Sequence, residues 1–156
     1  MPDRPDVIIR TARRDDLGGV LALYAQPEID DGAVLPLDEA DALLTKFAAY
    51  PDYTLYVAER EGRIVGSFAL LIMDNLGHRG APSAIVEDVV VAPDLHGTGI
   101  GRQMMGFAIG KAREKSCYKL MLSSNERRER AHAFYESLGF ERHGFSFRVE
   151  LDRTPA

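Results

Sequence analysis

The stretch EDVVVAPDLHGTGIGRQMM, residues 87–105, sets the fold of this chain. A run of β-branched residues ends at Pro93, Gly97, Gly99 and Gly101 then alternate with other residues, and a helical pattern starts at once. Glycine loses more backbone entropy on folding than any other residue, so glycines gathered in one turn need a geometric reason. The pattern offers one: a ligand that approaches the backbone closely. Successive N–H groups at a helix start form an anion site, and the helix dipole adds to it. The spacing excludes two phosphate loops. A dinucleotide fingerprint needs G-x-G-x-x-G, and Arg102 stands where its last glycine belongs; a Walker loop needs Gly-Lys-Ser/Thr, and the chain has Gly101-Arg102-Gln103. Taken alone, the turn also fits a plain strand-to-helix connection.

The chain around it has 156 residues, the size of one domain, and residues 1–156 are read as a single one. With 46% hydrophobic and 28% charged residues the composition is that of a globular protein. No apolar run is long enough for a membrane span, and MPDRPDVIIR has no apolar signal-peptide core, so no membrane partner is expected. The single Cys117 allows no internal disulfide and fits a cytoplasmic setting. A net charge of −5 argues against nucleic acid as a partner. His78, His96, His132 and His143 are scattered without metal-ligand spacing, so no metal is expected.

Upstream, residues 7–12 read as a strand, and residues 13–26 as a helix capped by Asp15 or Asp16, with Leu17, Val20, Leu21 and Tyr24 on its apolar face. Gly18 and Gly19 weaken that helix. A loop at 27–36 leads to a second helix at 37–50; strands at 53–60 and 63–73 flank a Glu61-Gly62 hairpin turn. Beyond a polar loop at 74–82, residues 83–91 form the strand that enters the glycine turn. A helix over 98–115, a strand over 117–125, a helix closed by Gly139 and a final hairpin turning at His143-Gly144 complete the chain. The order specifies an α/β or α+β domain with a mixed sheet.

Two motifs together resemble the GNAT superfamily of acyl-CoA-dependent N-acyltransferases. Its Arg/Gln-x-x-Gly-x-Gly/Ala pattern follows a strand ending in Val-x-Pro, as Val91-Ala92-Pro93 precedes His96 to Gly101. Its Phe-Tyr-x-x-x-Gly-Phe helix end is matched by Phe134 to Phe140. His96 departs from the pattern, standing where Arg or Gln is usual; Arg102 offers a nearby charge. The resemblance implies a mostly antiparallel central sheet of about six to seven strands with about four helices, splayed between the strands ending near Val91 and Asn125. It implies acetyl-CoA as cosubstrate. Its pyrophosphate would rest on the amides of His96, Gly97, Thr98, Gly99, Ile100, Gly101 and Arg102. Its pantetheine would run along Val89, Val90 and Val91, pairing with backbone at Val89 and Val91 and with Asn125.

Acyl transfer needs a neutral amine, and an alkylamine of pKa ~10.4 is neutral in about one molecule per thousand at pH 7. A general base must take that proton. Glu87 and Asp88 precede the cofactor strand, and neighbours on a regular strand point to opposite faces, so only one can look at the acyl group. The Glu-Asp pair is similar to that of polyamine and glucosamine-6-phosphate acetyltransferases; the resemblance favours Glu87 as base, with Asp88 as substrate contact or orienter. It makes Tyr135 the general acid for the leaving thiolate, and the Val89 N–H is the oxyanion donor. Solvated strand-end carboxylates and a packing tyrosine are the structural alternatives. Arg127, Arg128 and Arg130 form either a solvated face or a contact for the CoA 3′-phosphate.

The acceptor is a small amine, of either charge. Asp30, Asp31 and Asp38 suit a cationic one; Arg79, Arg142 and Arg148 suit a phosphorylated one. CYKLML resembles the glucosamine-6-phosphate branch, and residues 123–147 the aminoalkylphosphonate branch. A non-catalytic acyl-CoA sensor and a protein or peptide N-acetyltransferase are the rival functions. Phe145, Phe147 and Val149 serve either a homodimer or the core.

Overall fold

The computed structural model describes residues 7–124 and 127–153. The chain divides into two compact units, one ending at Leu122 and one beginning at Ser123.

In the first unit, Glu61 and Gly62 adopt left-handed φ of 50° and 78°. A two-residue turn with both φ positive matches the twist of a hairpin, and it joins β2 (Tyr53–Arg60) to β3 (Arg63–Met73). β1 (Ile8–Thr11) adds antiparallel to β2, β4 (Ser83–Val91) antiparallel to β3, and β5 (Lys119–Met121) parallel to β4. The order is β1-β2-β3-β4-β5. Two short helices, α1 (Leu17–Tyr24) and α2 (Leu37–Phe47), cover the face that presents Leu55, Val57 and Ala69. α3 (Ile100–Glu114) meets the other face: the Phe107 ring packs edge-on against Tyr56, and Met104 lies over Gly66.

Asp16 stands at the N-cap of α1, but its side chain makes no cap bond to that helix and is used elsewhere. It is buried, accepts the Arg13 N–H at 2.7 Å and pairs through both oxygens with Arg10, at 2.7 and 2.9 Å. The guanidinium holds its carboxyl below the usual range. Gly19, a liability for helix propensity, has a packing reason. A Cβ there would stand 2.9 Å from Cβ of Ile64 in β3, a stiff branched centre that cannot swing aside. Gly19→Ala is expected to destabilise the fold by about 1–3 kcal/mol through overpacking, despite alanine's better helix propensity. Urea denaturation measures it; a neutral or stabilising effect would contradict the close packing of α1 on β3.

The second unit holds α4 (Glu129–Ser137). Gly139, at φ 94°, closes it as a Schellman motif: the Phe140 N–H reaches Tyr135 O at 3.1 Å and the Gly139 N–H reaches Glu136 O at 3.1 Å. The rings of Tyr135 and Phe140 meet beside that cap.

Among the described residues the sheet has five strands, not six to seven. The shortfall is the final hairpin. Gly144 takes the positive φ of a turn, but no strand forms over residues 141–153, and Phe145, Phe147, Val149 and Leu151 are exposed. Alternation patterns a strand; only ladder bonds to a partner make one. The strand expected over 117–125 is likewise reduced to Lys119–Met121. It pairs with β4 at Ser83, Ala84 and Ile85 alone, so among the described residues β4 continues from Val86 to Val91 without a strand on that side. The two strands part there.

Candidate active site

β4 is interrupted where the sequence has Glu87-Asp88. Glu87 lies opposite Ala69 of β3 and Val90 opposite Ser67, so Asp88 and Val89 together face the single residue Phe68. This is a β-bulge, and Asp88 enters the left-handed region at φ 53°. That conformation costs on the order of 1–2 kcal/mol for most residues, less for Asp, whose side chain tolerates it. The bulge breaks the strict alternation on which the one-carboxylate expectation rests. Glu87 pairs with Ala69, which lines a cavity, and Asp88 lines the same cavity, while Glu87 itself is not part of its wall. Strand alternation fails because the strand is not regular at this point.

The cavity lies between α1, α2 and the sheet and holds about 340 Å³, near the lower end of the ~300–1,000 Å³ of small-ligand sites. Its wall has eleven apolar residues, Tyr24, Asp30 and Asp88. Burial raises the Asp88 carboxyl above the usual range, and the charge of Asp30 raises it further. Burial, then Asp88, raises Glu87. Burial and the Asp88 charge hold the Tyr24 hydroxyl pKa well above the ordinary tyrosine value, against a smaller opposing effect of Ser67, whose own hydroxyl donates to Tyr56 O at 2.9 Å. Sequence patterns placed Tyr24 on an apolar face and passed over Ser67. An isolated serine in an apolar strand was the available signal, and Ser67 is fully buried.

After Val91 the chain makes one short 3₁₀ turn, Pro93–Leu95, and enters the glycine segment. Asp94 accepts both arms of Arg63, at 2.8 and 2.9 Å, tying this turn to the start of β3. Gly97 and Gly99 have φ of 78° and 95°, and a Cβ at either would enter open space. Gly101 lies inside α3. Thr98 is turned inward, its N–H and hydroxyl both on Leu95 O. The first helical bond runs from Gln103 N–H to Gly99 O, so the amides just before Gln103 lie ahead of the ladder. Ile100 anchors the helix in the core, and Arg102 is exposed on its first turn.

His96 reaches back to β4. Its Nε2–H donates to Val91 O at 2.9 Å, and Gln26 Nε2 donates to the same oxygen at 3.1 Å. A carbonyl accepts two bonds, so the Val91 oxygen, expected to serve a ligand, is engaged by side chains. Nothing in the sequence marked Gln26.

The remaining candidates are dispersed. Asp31, at φ 47°, is exposed and outside the cavity wall; its neighbour Asp30 is the residue that enters it. Arg79, at φ 58°, is exposed in the 3₁₀ turn His78–Gly80 and does not line the cavity. Tyr135 is half-buried on α4 of the second unit, and burial raises its hydroxyl pKa against a smaller opposing effect of Arg128. Asn125 lies outside the described residues.

Residues 20–140 match the Acetyltransferase (GNAT) family. The chain is 39% identical to a glucosamine 6-phosphate N-acetyltransferase of Trypanosoma brucei brucei, over 58% of this chain and 59% of that protein. It is 31% identical to an aminoalkylphosphonate N-acetyltransferase of Salmonella typhimurium, over 97% and 98% of the two chains. A solved structure from Agrobacterium tumefaciens, provisionally assigned as an acetyltransferase, superposes with a TM-score of 0.86 at 35% identity, covering 92% of this chain and 99% of that one.

Proposed function

The chain belongs to the GNAT acetyltransferase family, and from that premise we propose that it transfers the acetyl group of acetyl-CoA to the primary amine of a small molecule. The observation that carries this is the left-handed glycine turn, which opens α3 directly after the stretch of β4 that β5 leaves unpaired. The residues fit the cosubstrate. Open space stands where side chains at Gly97 and Gly99 would be, and helix-start amides stand beside it. Of the amides from His96 to Arg102, those of His96 and Thr98 bond Pro93 O and Leu95 O, so the pyrophosphate would rest chiefly on those of Gly97 and of Gly99 to Arg102, and the pantetheine would run along the side of Val89–Val91 that β5 leaves unpaired. If the Val91 carbonyl joins that pairing, His96 or Gln26 must release it.

Bound acetyl-CoA supplies an activated thioester. The protein supplies proton transfers and orientation. Neutralising an alkylammonium at pH 7 costs roughly 4–5 kcal/mol. Glu87 is assigned as the base that takes that proton, directly or through water, and its raised pKa narrows the gap it must bridge. Asp88 binds the incoming ammonium. The Val89 N–H, within the bulge, donates to the oxygen that gains charge. Tyr135 carries the proton that the departing sulfur needs.

Thiol release from acetyl-CoA with a panel of amines tests the reading. Tyr135→Phe is expected to lower kcat about 100-fold and to leave acetyl-CoA affinity within about twofold, as titration calorimetry would record. Failure of acetyl-CoA to bind the wild-type protein would overturn the assignment. Saturable binding with no turnover on any amine would replace it with a sensor role.

A further inference from the structure

We propose that the acceptor is a hydrophobic primary amine, an alkyl- or arylalkylamine with no phosphate or carboxylate, whose body fills the cavity between α1, α2 and the sheet and whose ammonium is held by Asp30 and Asp88. This rests on the acetyltransferase reading and names its substrate class. Two features of the cavity carry it. Its wall is apolar apart from Tyr24, Asp30 and Asp88, and among the described residues no arginine, lysine or histidine lines it. Among the described residues, no cation forms a salt bridge with either carboxylate. Asp30 is part-buried and Asp88 exposed, and the charge of one raises the pKa of the other, so two like charges act on each other with no protein cation between them, and a ligand cation relieves that repulsion.

The relatives named above act, by their names, on amines that carry a phosphate or a phosphonate. Such a group in this cavity would meet two carboxylates of its own sign and no counter-charge, a repulsive contact. The arginines suited to it are exposed or already paired with carboxylates. Arg79 is exposed and outside the wall. In the second unit Arg142 pairs with Glu136 at 2.6 Å, and Arg148 with Glu150 at 2.9 Å. The pocket therefore selects by apolar burial and positive charge, two properties that a sugar phosphate or short phosphonate lacks in combination.

The experiment compares propylamine, butylamine, pentylamine, hexylamine and phenethylamine with glucosamine 6-phosphate and aminomethylphosphonate in the thiol-release assay. Each methylene from propyl to hexyl is expected to raise kcat/KM about fourfold, the equilibrium factor for ~0.8 kcal/mol. Both phosphorus-bearing amines are expected to fall at least ~100-fold below hexylamine, since a phosphate set against two carboxylates is a like-charge contact worth several kcal/mol. Asp30→Asn is expected to raise KM for hexylamine more than ~10-fold with kcat nearly unchanged. Leu43 is 42% exposed at the cavity wall, so Leu43→Arg is compatible with folding; it is expected to weaken hexylamine and improve glucosamine 6-phosphate. Rates independent of chain length, or a preference of the wild type for a phosphorylated amine, would overturn the proposal while leaving the acetyltransferase reading intact. Calorimetric titration of hexylamine into the protein alone separates the two: saturable binding weakened by Asp30→Asn supports the pocket whatever the turnover, and absence of binding overturns it.

Discussion

Glu87→Gln is expected to lower kcat/KM by about 10²–10⁴-fold, the range a positioned general base contributes, with the Kd for acetyl-CoA within about twofold of wild type. Glutamine keeps the shape of glutamate and disturbs no ladder bond of β4, so the loss would be chemical. The pH dependence follows from the direction of the shift. Burial first, and Asp88 second, raise the Glu87 carboxyl above the ordinary value of 4.5. Only the ionised form accepts a proton, so kcat/KM should climb with rising pH through an apparent pKa above that value, the acid limb belonging to the coupled carboxylates. Removing the Asp88 charge in Asp88→Asn lifts one cause, so the limb should move to lower pH. A kcat/KM profile for the three proteins checks both statements. An acid limb unchanged in Glu87→Gln, with kcat/KM near wild type, would assign the base elsewhere.

The second large effect is at the glycine turn. Gly99→Val is expected to raise the Kd for acetyl-CoA by at least ~30-fold and to lower stability by about 1–3 kcal/mol, the cost of a non-glycine residue in a sparsely populated backbone region. Gly99 has φ 95° as the N-cap of α3, a conformation in which a β-branched side chain is strained. The same Cβ would occupy the open space beside the helix-start amides. Gly101→Ala is the control, since Gly101 is helical and alanine suits a helix. Calorimetric titration with acetyl-CoA, on variants first shown folded by their melting transitions, reads the effect. Equal affinity for the Gly99→Val and Gly101→Ala proteins would detach the cosubstrate from this turn.

What sequence could show and what it could not divide along one line. Features written in single residues with a conformational preference were legible: the Glu61-Gly62 turn, the Gly97 and Gly99 pair and the Gly139 cap all take positive φ. Features that depend on how two segments meet were not. The bulge at Asp88 arises from the mismatch between β3 and β4, and EDVVV alone reads as a regular strand. Asp30 enters the cavity instead of Asp31 because of the loop's path, which its Asp-Asp repeat does not encode. Gly19 looked like a weak helix position until Ile64 was found against it. The final hairpin erred in the opposite way: its alternation is real, and nothing among the described residues pairs with it.

The bulge has a consequence for how this gene can change. Glu87 faces with Ala69 and Val90 with Ser67, residues on one side of β3, although Glu87 and Val90 are three apart and on a regular strand would lie on opposite sides. The extra residue thus reverses the phase of everything that follows it, including Val90, Val91 and the lead into the glycine turn. Losing one codon at 88 or 89 would leave Glu87 opposite Ala69 and Val90 opposite Ser67, with a single residue facing Phe68, so β4 would become regular and keep its pairing, and only one carboxylate could remain on the face of Ala69. The extra residue is thus not needed for the sheet to pair; what a strand one residue shorter would lose is the left-handed turn of Asp88 beside Glu87.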